Sequence, residues 1–265
     1  MAGGALTAAL IPGERRGEGL AVVGLVTGVP SLFALPAGVW AAQRWSFDVV
    51  FVVTALAPIL TLPTIFALAV PQAPTGRRHG PLSGLREAAL MRPAAVFAAS
   101  ACAADVVVTY LPLALRGQGE WIAPAALLLH SAAATLTRWI AGRIGDRRGQ
   151  TGLLTPGLIL SIVGMAALAV TASPWAVLAG AATFGSGFGI LQNATLALMY
   201  SRVHQTRYST VSAIWNAAYD LSMAVGAIGA GLLASGVGFT TAFLLTASAM
   251  LPALAIAHRE ATPQR

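Results

Sequence analysis

The stretch "TLTRWIAGRIGDRRGQ", Thr135–Gln150, interrupts a chain built mainly of Ala, Leu, Val and Gly. An apolar run ends there in Arg138, Arg143, Asp146, Arg147 and Arg148. Around it the chain is greasy: 57% of its 265 residues are hydrophobic, 9% are charged, and the mean hydropathy is +0.75. A soluble domain carries about 25% charged residues. A chain with so few cannot cover an ordinary water-facing surface, so composition points to an all-α integral membrane protein.

The net charge of +7 does not imply nucleic acid. Nucleic-acid binders gather their basic residues on a soluble face, whereas these arginines occupy short gaps between apolar runs, where membrane-flanking charge belongs. Cys102 is the single cysteine, which excludes an internal disulfide and any cysteine cluster for a metal. The sequence shows no Ser–His–Asp arrangement, HExxH or Cys/His metal spacing, so neither an enzyme nor a cofactor is expected. The N-terminal "MAGGALTAALIPGERRGEGL" has no basic residue before its apolar part. That part is too short to span a bilayer and reads as the end of a helix rather than a signal peptide.

Eight apolar runs follow, at 19–42, 48–70, 93–115, 120–142, 150–172, 175–200, 209–235 and 237–257. Each is continuous rather than alternating, and each is long enough as a helix to cross a hydrocarbon core of about 30 Å. The gaps alternate in charge. One set holds Arg15 and Arg16; Arg77, Arg78, Arg86 and Arg92; Arg143, Arg147 and Arg148; Arg202 and Arg207; and Arg259 and Arg265. The other set is short and holds only Arg44 and Arg116, while Arg138 lies inside a run. The positive-inside rule makes the first set cytoplasmic, which predicts eight transmembrane helices with both termini in the cytoplasm.

Within "GRIGDRRG" each residue type has a physical use. Gly142 allows another helix close. Asp146 can offer its carboxylate to the N-terminus of a neighbouring helix, where free N–H groups favour an anion. Arg143 and Arg147 can pair with acids or lipid phosphates, and Gly149 serves the tight turn. The rule of positive loops alone would need neither the Asp nor the glycines.

This arrangement resembles the cytoplasmic loop motif of the major facilitator superfamily (MFS), in the copy that joins the eighth and ninth helices. "GLVTGVPSLFALPAGVWAAQRWSFDVVF" is similar to a bacterial efflux-type fifth helix, keeping Gly24, Gly28, Pro36 and Gly38 but with Leu35 in place of the expected Gly. "GAATFGSGFGILQNATLAL" resembles the tenth helix and "WNAAYDLSMAVGAIGAGLLA" the eleventh. The resemblance implies an amino-terminally truncated permease holding helices 5–12 of a twelve-helix fold. Residues 1–70 would be a remnant of the amino-terminal half (tail of helix 4, helices 5–6). Residues 71–92 would be the cytoplasmic inter-half loop, and 93–265 the complete six-helix carboxy-terminal half. It further implies proton-coupled efflux of a small molecule by an antiporter, with Gly142, Arg143, Asp146, Arg147 and Gly149 as a conformational-switch loop. Asp146 is expected near Arg16–Glu18. The rival reading is an inactive membrane-embedded remnant, from a mis-assigned start or a split gene. In that case self-association or a complementing fragment would have to supply the missing wall.

Ionisable groups within a membrane span are costly and stand as functional candidates. They are Asp105, His130 and Asp220, joined as a substrate or proton pathway by the polar Asn216, Gln192 and Asn193. Asp220 is the favoured proton carrier, because burial of a carboxyl favours its protonated form. Arg138, one turn from a helix end, is read as interface charge that snorkels. "GSGFG", Gly185–Gly189, sits within a span with no preceding strand, so it reads as close helix packing rather than a nucleotide loop.

Overall fold

A computed structural model describes residues 15–66 and 84–261. Residues 1–14, most of the 71–92 gap with Arg77 and Arg78, and Arg265 lie outside the described residues. The described chain is almost wholly helical, without strands. Its α-helices are α1 (Arg16–Arg44), α2 (Phe47–Phe66), α3 (Ala88–Ala114), α4 (Ile122–Arg148), α5 (Leu154–Leu168), α6 (Pro174–Ser201), α7 (Tyr208–Ala249) and α8 (Leu251–Ala261). The boundaries have local causes. Ser173 accepts a bond from the Ala176 N–H at 3.4 Å, and Pro174 opens α6, where a missing N–H costs nothing. Gly149 ends α4 with φ +89°, a conformation that a side chain would strain.

Among the described residues, length and apolarity qualify four helical segments to cross a membrane, or five when the two halves of α1, bent by 42°, count as one. The sequence expectation of eight is not met on this criterion, for physical reasons. The mid-portion of α4 carries His130, Ser131, Thr135, Thr137 and Arg138, and α2 has only a shorter qualifying stretch, Phe47–Ile59. The last two runs merge into one segment, Gln205–Ala261, of 57 residues. A straight helix of that length would reach about 85 Å. The chain instead doubles back at Gly238 (φ 80°, ψ 166°). Glu260, near its end, pairs with Arg202, which lies just before its start.

The centre of the bundle is α6, packed between α4 and α5, while α3 packs along α7 and α1 along α4. Glycines set these distances. A methyl group at Gly185 or Gly189 would meet the carbonyls of His130 or Ala134 on α4, at 2.2 and 2.1 Å. One at Gly187 would meet the Gly157 carbonyl on α5 at 2.4 Å. "GSGFG" is thus a two-sided packing surface. Gly226 meets the Cys102 carbonyl on α3 in the same way, but Gly229 faces open space, so the glycines of α7 do not all serve packing. The outer faces of α2 and α7 expose Phe51, Val53, Ile228 and Leu232, as suits hydrocarbon surroundings.

Charges collect at one end of the bundle. Glu260, with a side chain only 4% exposed, sits between Arg202 and Arg92, the latter at 3.5 Å. Arg202 also donates to the Ala89 carbonyl at 2.6 Å. Arg207 grips Glu87 through two bonds of 2.5 and 3.1 Å, and these hold the Glu87 carboxyl below its usual range. Loss of Glu260 would leave Arg202 without its charge partner in a partly enclosed site. Glu260→Gln is therefore expected to cost about 1.5–3 kcal/mol, read as a lowered melting temperature in detergent micelles. The exposed Arg259→Gln should change stability by no more than about 0.5 kcal/mol.

Candidate substrate cavity and the α1–α4 clamp

Helix α1 enters the bundle on a stripe of small residues, Gly17, Ala21, Gly24 and Gly28, which spacing puts on one helical face. That face runs antiparallel along α4. A methyl at Gly17 would lie 2.7 Å from the Gly142 carbonyl, and one at Gly142 would lie 2.5 Å from the Gly17 carbonyl. At this closest crossing the Asp146 carboxylate accepts bonds from the Gly17 and Glu18 N–H groups at 2.7 and 2.8 Å. These are first-turn donors that α1 itself cannot satisfy. Arg143 adds an ion pair to Glu18 at 3.1 Å and lies over the Trp139 ring at 3.9 Å. Arg147 is exposed and Gly149 forms the turn. Gln150, which sequence reasoning missed, is buried against Gly145 and donates to Asp146 at 3.4 Å.

Further along the same seam the helices open around a cavity of about 280 Å³. Its walls come from α1 (Gly24, Gly28), α3 (Ala104, Val108), α4 (His130, Ser131, Ala134, Thr135, Arg138), α6 (Phe188, Gln192) and α7 (Tyr219, Met223). Arg138 does not snorkel to the interface. It points inward, where its Nη1 donates to Gln192 Oε1 at 2.9 Å. It fits because residue 24 is Gly: a methyl there would lie 2.3 Å from Arg138 Nε. The reading of Arg138 as interface charge is corrected by these two non-local contacts. The spacing Ser131–Thr135–Arg138 already placed the three on one face of α4.

Of the six pathway candidates, His130 and Gln192 line the cavity. His130 stacks on Phe184 and Phe188, with ring centroids 5.6 and 6.1 Å apart. Asn193 is a staple instead: it is buried, and its Nδ2 donates to the Gly17 and Arg138 carbonyls at 3.1 and 2.9 Å. Asp105 is buried against Gly226 of α7, with Thr109 beside it and Oδ2 unpartnered among the described residues. Asn216 bonds back to the Ser212 carbonyl of its own helix at 2.7 Å and is not part of the wall. Asp220 is exposed on α7 and outside the lining, so the burial expected for it is not found. Its neighbour in sequence, Tyr219, faces the cavity and lies within electrostatic reach of Asp105, Asp220 and Arg138.

The aromatic cluster from which Phe188 and Tyr219 reach the cavity wall had no sequence signal that separated it from ordinary core. Phe97 of α3 stacks on Trp215 of α7 at 4.3 Å and 10°. Tyr219 and Phe188 flank Phe97 with ring planes 12° and 24° from its own. Phe184 continues the array toward His130.

The clamp makes a specific demand on residue size. Gly142→Ala must push the backbones of α1 and α4 apart, and overpacking of this kind costs about 1–3 kcal/mol. A lower melting temperature is the expected readout, with Gly152→Ala, whose methyl would meet nothing within 4 Å, as the neutral control.

Comparison with known proteins agrees with this architecture. Over 133 residues the chain is 29% identical to an uncharacterized MFS-type transporter of Salmonella typhimurium. That match takes in 50% of this chain and 34% of the Salmonella protein, so the chain spans about a third of its relative's length. The family model for the Major Facilitator Superfamily matches residues 1–227. With most of its length matched, the chain belongs to the major facilitator superfamily of membrane transporters.

Proposed function

We propose that this chain forms the translocation path of a secondary active transporter that moves a small molecule out of the cell in exchange for protons. In this reading the eight apolar runs are eight spans matching helices 5–12 of the family fold. Residues 93–265 make the carboxy-terminal half, 71–92 the inter-half loop and 1–70 part of the amino-terminal half. Both termini and the Asp146 loop face the cytoplasm, and the protein sits in the inner membrane.

The observation that carries the reading is the α1–α4 seam. Its charged end is closed by the Asp146 carboxylate on the start of α1, while its middle lines a polar and aromatic cavity. Alternating access rocks one half of such a fold against the other about a central site. A clamp of two charge-assisted hydrogen bonds and one ion pair can hold a closed state and still release. Asp105 and Asp220 are the proton candidates, both within reach of Tyr219 on the cavity wall. Asp105 has the stronger position, since its buried Oδ2 is unpartnered and a proton would relieve that charge.

The reading is tested in proteoliposomes carrying a trapped pH dye and an imposed proton gradient. Addition of a panel of cationic, neutral and anionic small molecules should trigger proton movement for at least one class. Asp105→Asn or Asp220→Asn should reduce that movement at least ten-fold. Proton flux unchanged in both variants would remove the carboxyls from coupling, and no compound-triggered flux would remove the exchange itself.

A further inference from the structure

The cavity surrounds a cation that lacks a matching anion. Among the described residues no carboxylate lies within ion-pair distance of Arg138, and its charge is met by the neutral Gln192 amide. Arg138 is half-buried, and its Nε is enclosed and unpartnered among the described residues. Two further buried polar atoms on the same wall, Ser131 Oγ and His130 Nδ1, are also unpartnered among the described residues. A guanidinium stays charged in a protein interior, so the cost of desolvating it cannot be relieved by losing a proton. It can be relieved by a ligand, and the flat fork of donors on Arg suits a planar carboxylate above other anions of similar size. Beside this fork stand aromatic rings. Phe188, His130 and Tyr219 line the cavity and belong to one near-parallel aromatic array. Aromatic side chains accept a flat ring in offset-stacked or edge-to-face contact. A volume of about 280 Å³ lies at the lower limit of ligand pockets, which suits one ring rather than several.

We propose that this cavity takes a small monocyclic aromatic carboxylate. The carboxylate lies at Arg138 and Gln192, and the ring lies against Phe188, His130 and Tyr219. The Thr135 and Ser131 hydroxyls, on the same face of α4, stand ready for a hydroxyl substituent on the ring. The inference deepens the transporter reading and rests on it for its role, because the same cavity would carry the exported molecule. Gly24 is the selectivity-setting neighbour: with a side chain at that position the guanidinium would lose its place.

The test is calorimetric titration of the purified full chain in detergent at pH 7, with benzoate as the probe. Benzamide, benzylammonium and acetate serve as comparators for charge and for the ring. Saturable benzoate binding is expected, with each comparator at least ten-fold weaker. Arg138→Gln should weaken benzoate at least ten-fold. Gln192→Glu should do the same by supplying an internal carboxylate to Arg138, and its melting temperature should be no lower than that of the parent chain. Failure of benzoate to bind, equal binding of benzamide or benzylammonium, or unchanged affinity in folded Gln192→Glu would overturn the carboxylate assignment. Acetate binding as tightly as benzoate would overturn the aromatic part. The comparators act on the unaltered chain, so they decide the point even if neither variant folds. Binding needs no gradient. Benzoate binding without proton flux would therefore count against the exchange reading alone, and flux without carboxylate preference against this inference alone.

Discussion

The arrangement depends on one contact: the Asp146 carboxylate seated on the first N–H groups of α1. Those donors have no partner within their own helix, and the helix dipole adds a positive field where the carboxylate sits. The contact forms only because Gly17 and Gly142 let the two backbones touch. Once α1 is pinned there, its small-residue stripe lies along α4 in a single register. Gly24 then falls against Arg138 and Gly28 against Thr135. The shape of the cavity follows from that register. The missing side chains on α1 leave space, and α4 directs polar groups into it.

Helix α6 carries the other half of the construction. Its glycines bring α4 and α5 within backbone contact, and Asn193 ties its carboxy-terminal half to both α1 and α4. Gln192, one residue earlier, points to a different side and meets the Arg138 guanidinium. Adjacent residues on a helix diverge by about 100°, so one amide is structural and the other faces the cavity. The ion pairs of Glu260 and Glu87 gather α3, α6, α7 and α8 at the charged end. Two sets of polar groups stand out among the described residues. One closes the end of the bundle, and the other lies within the cavity without an internal counter-charge.

Much of the fold was legible before the structure. Continuous apolar runs required helices, because a strand pairing would have left alternation. "GRIGDRRG" marked the family and the contact to the helix beginning near Arg16, since a carboxylate between two glycines serves no topological rule. The limits of legibility are equally specific. Arg138 sat about one turn from the end of its apolar run, where either snorkelling or burial was open to it, and only Gln192 on α6 and Gly24 on α1 decide between them. Asp220 was expected inside because a carboxylate in an apolar run suggests enclosure, yet α7 turns it outward. The aromatic wall was invisible because Phe and Trp in a membrane helix look alike whether they face lipid, core or cavity.

The sequence by itself determined the class of protein, the helical runs, the charged ends and the family, all of which depend on composition and short-range spacing. The tertiary structure alone decided which polar residues meet. The rotation of each helix is set by backbone contacts at a few glycines, and those contacts join residues far apart in sequence, as Gly187 and Gly157 or Gly17 and Asp146 are. Local periodicity says which residues share a face, but not which face turns toward the cavity. That choice follows from the free energy of packing α1, α4, α6 and α7 together around one half-buried cation.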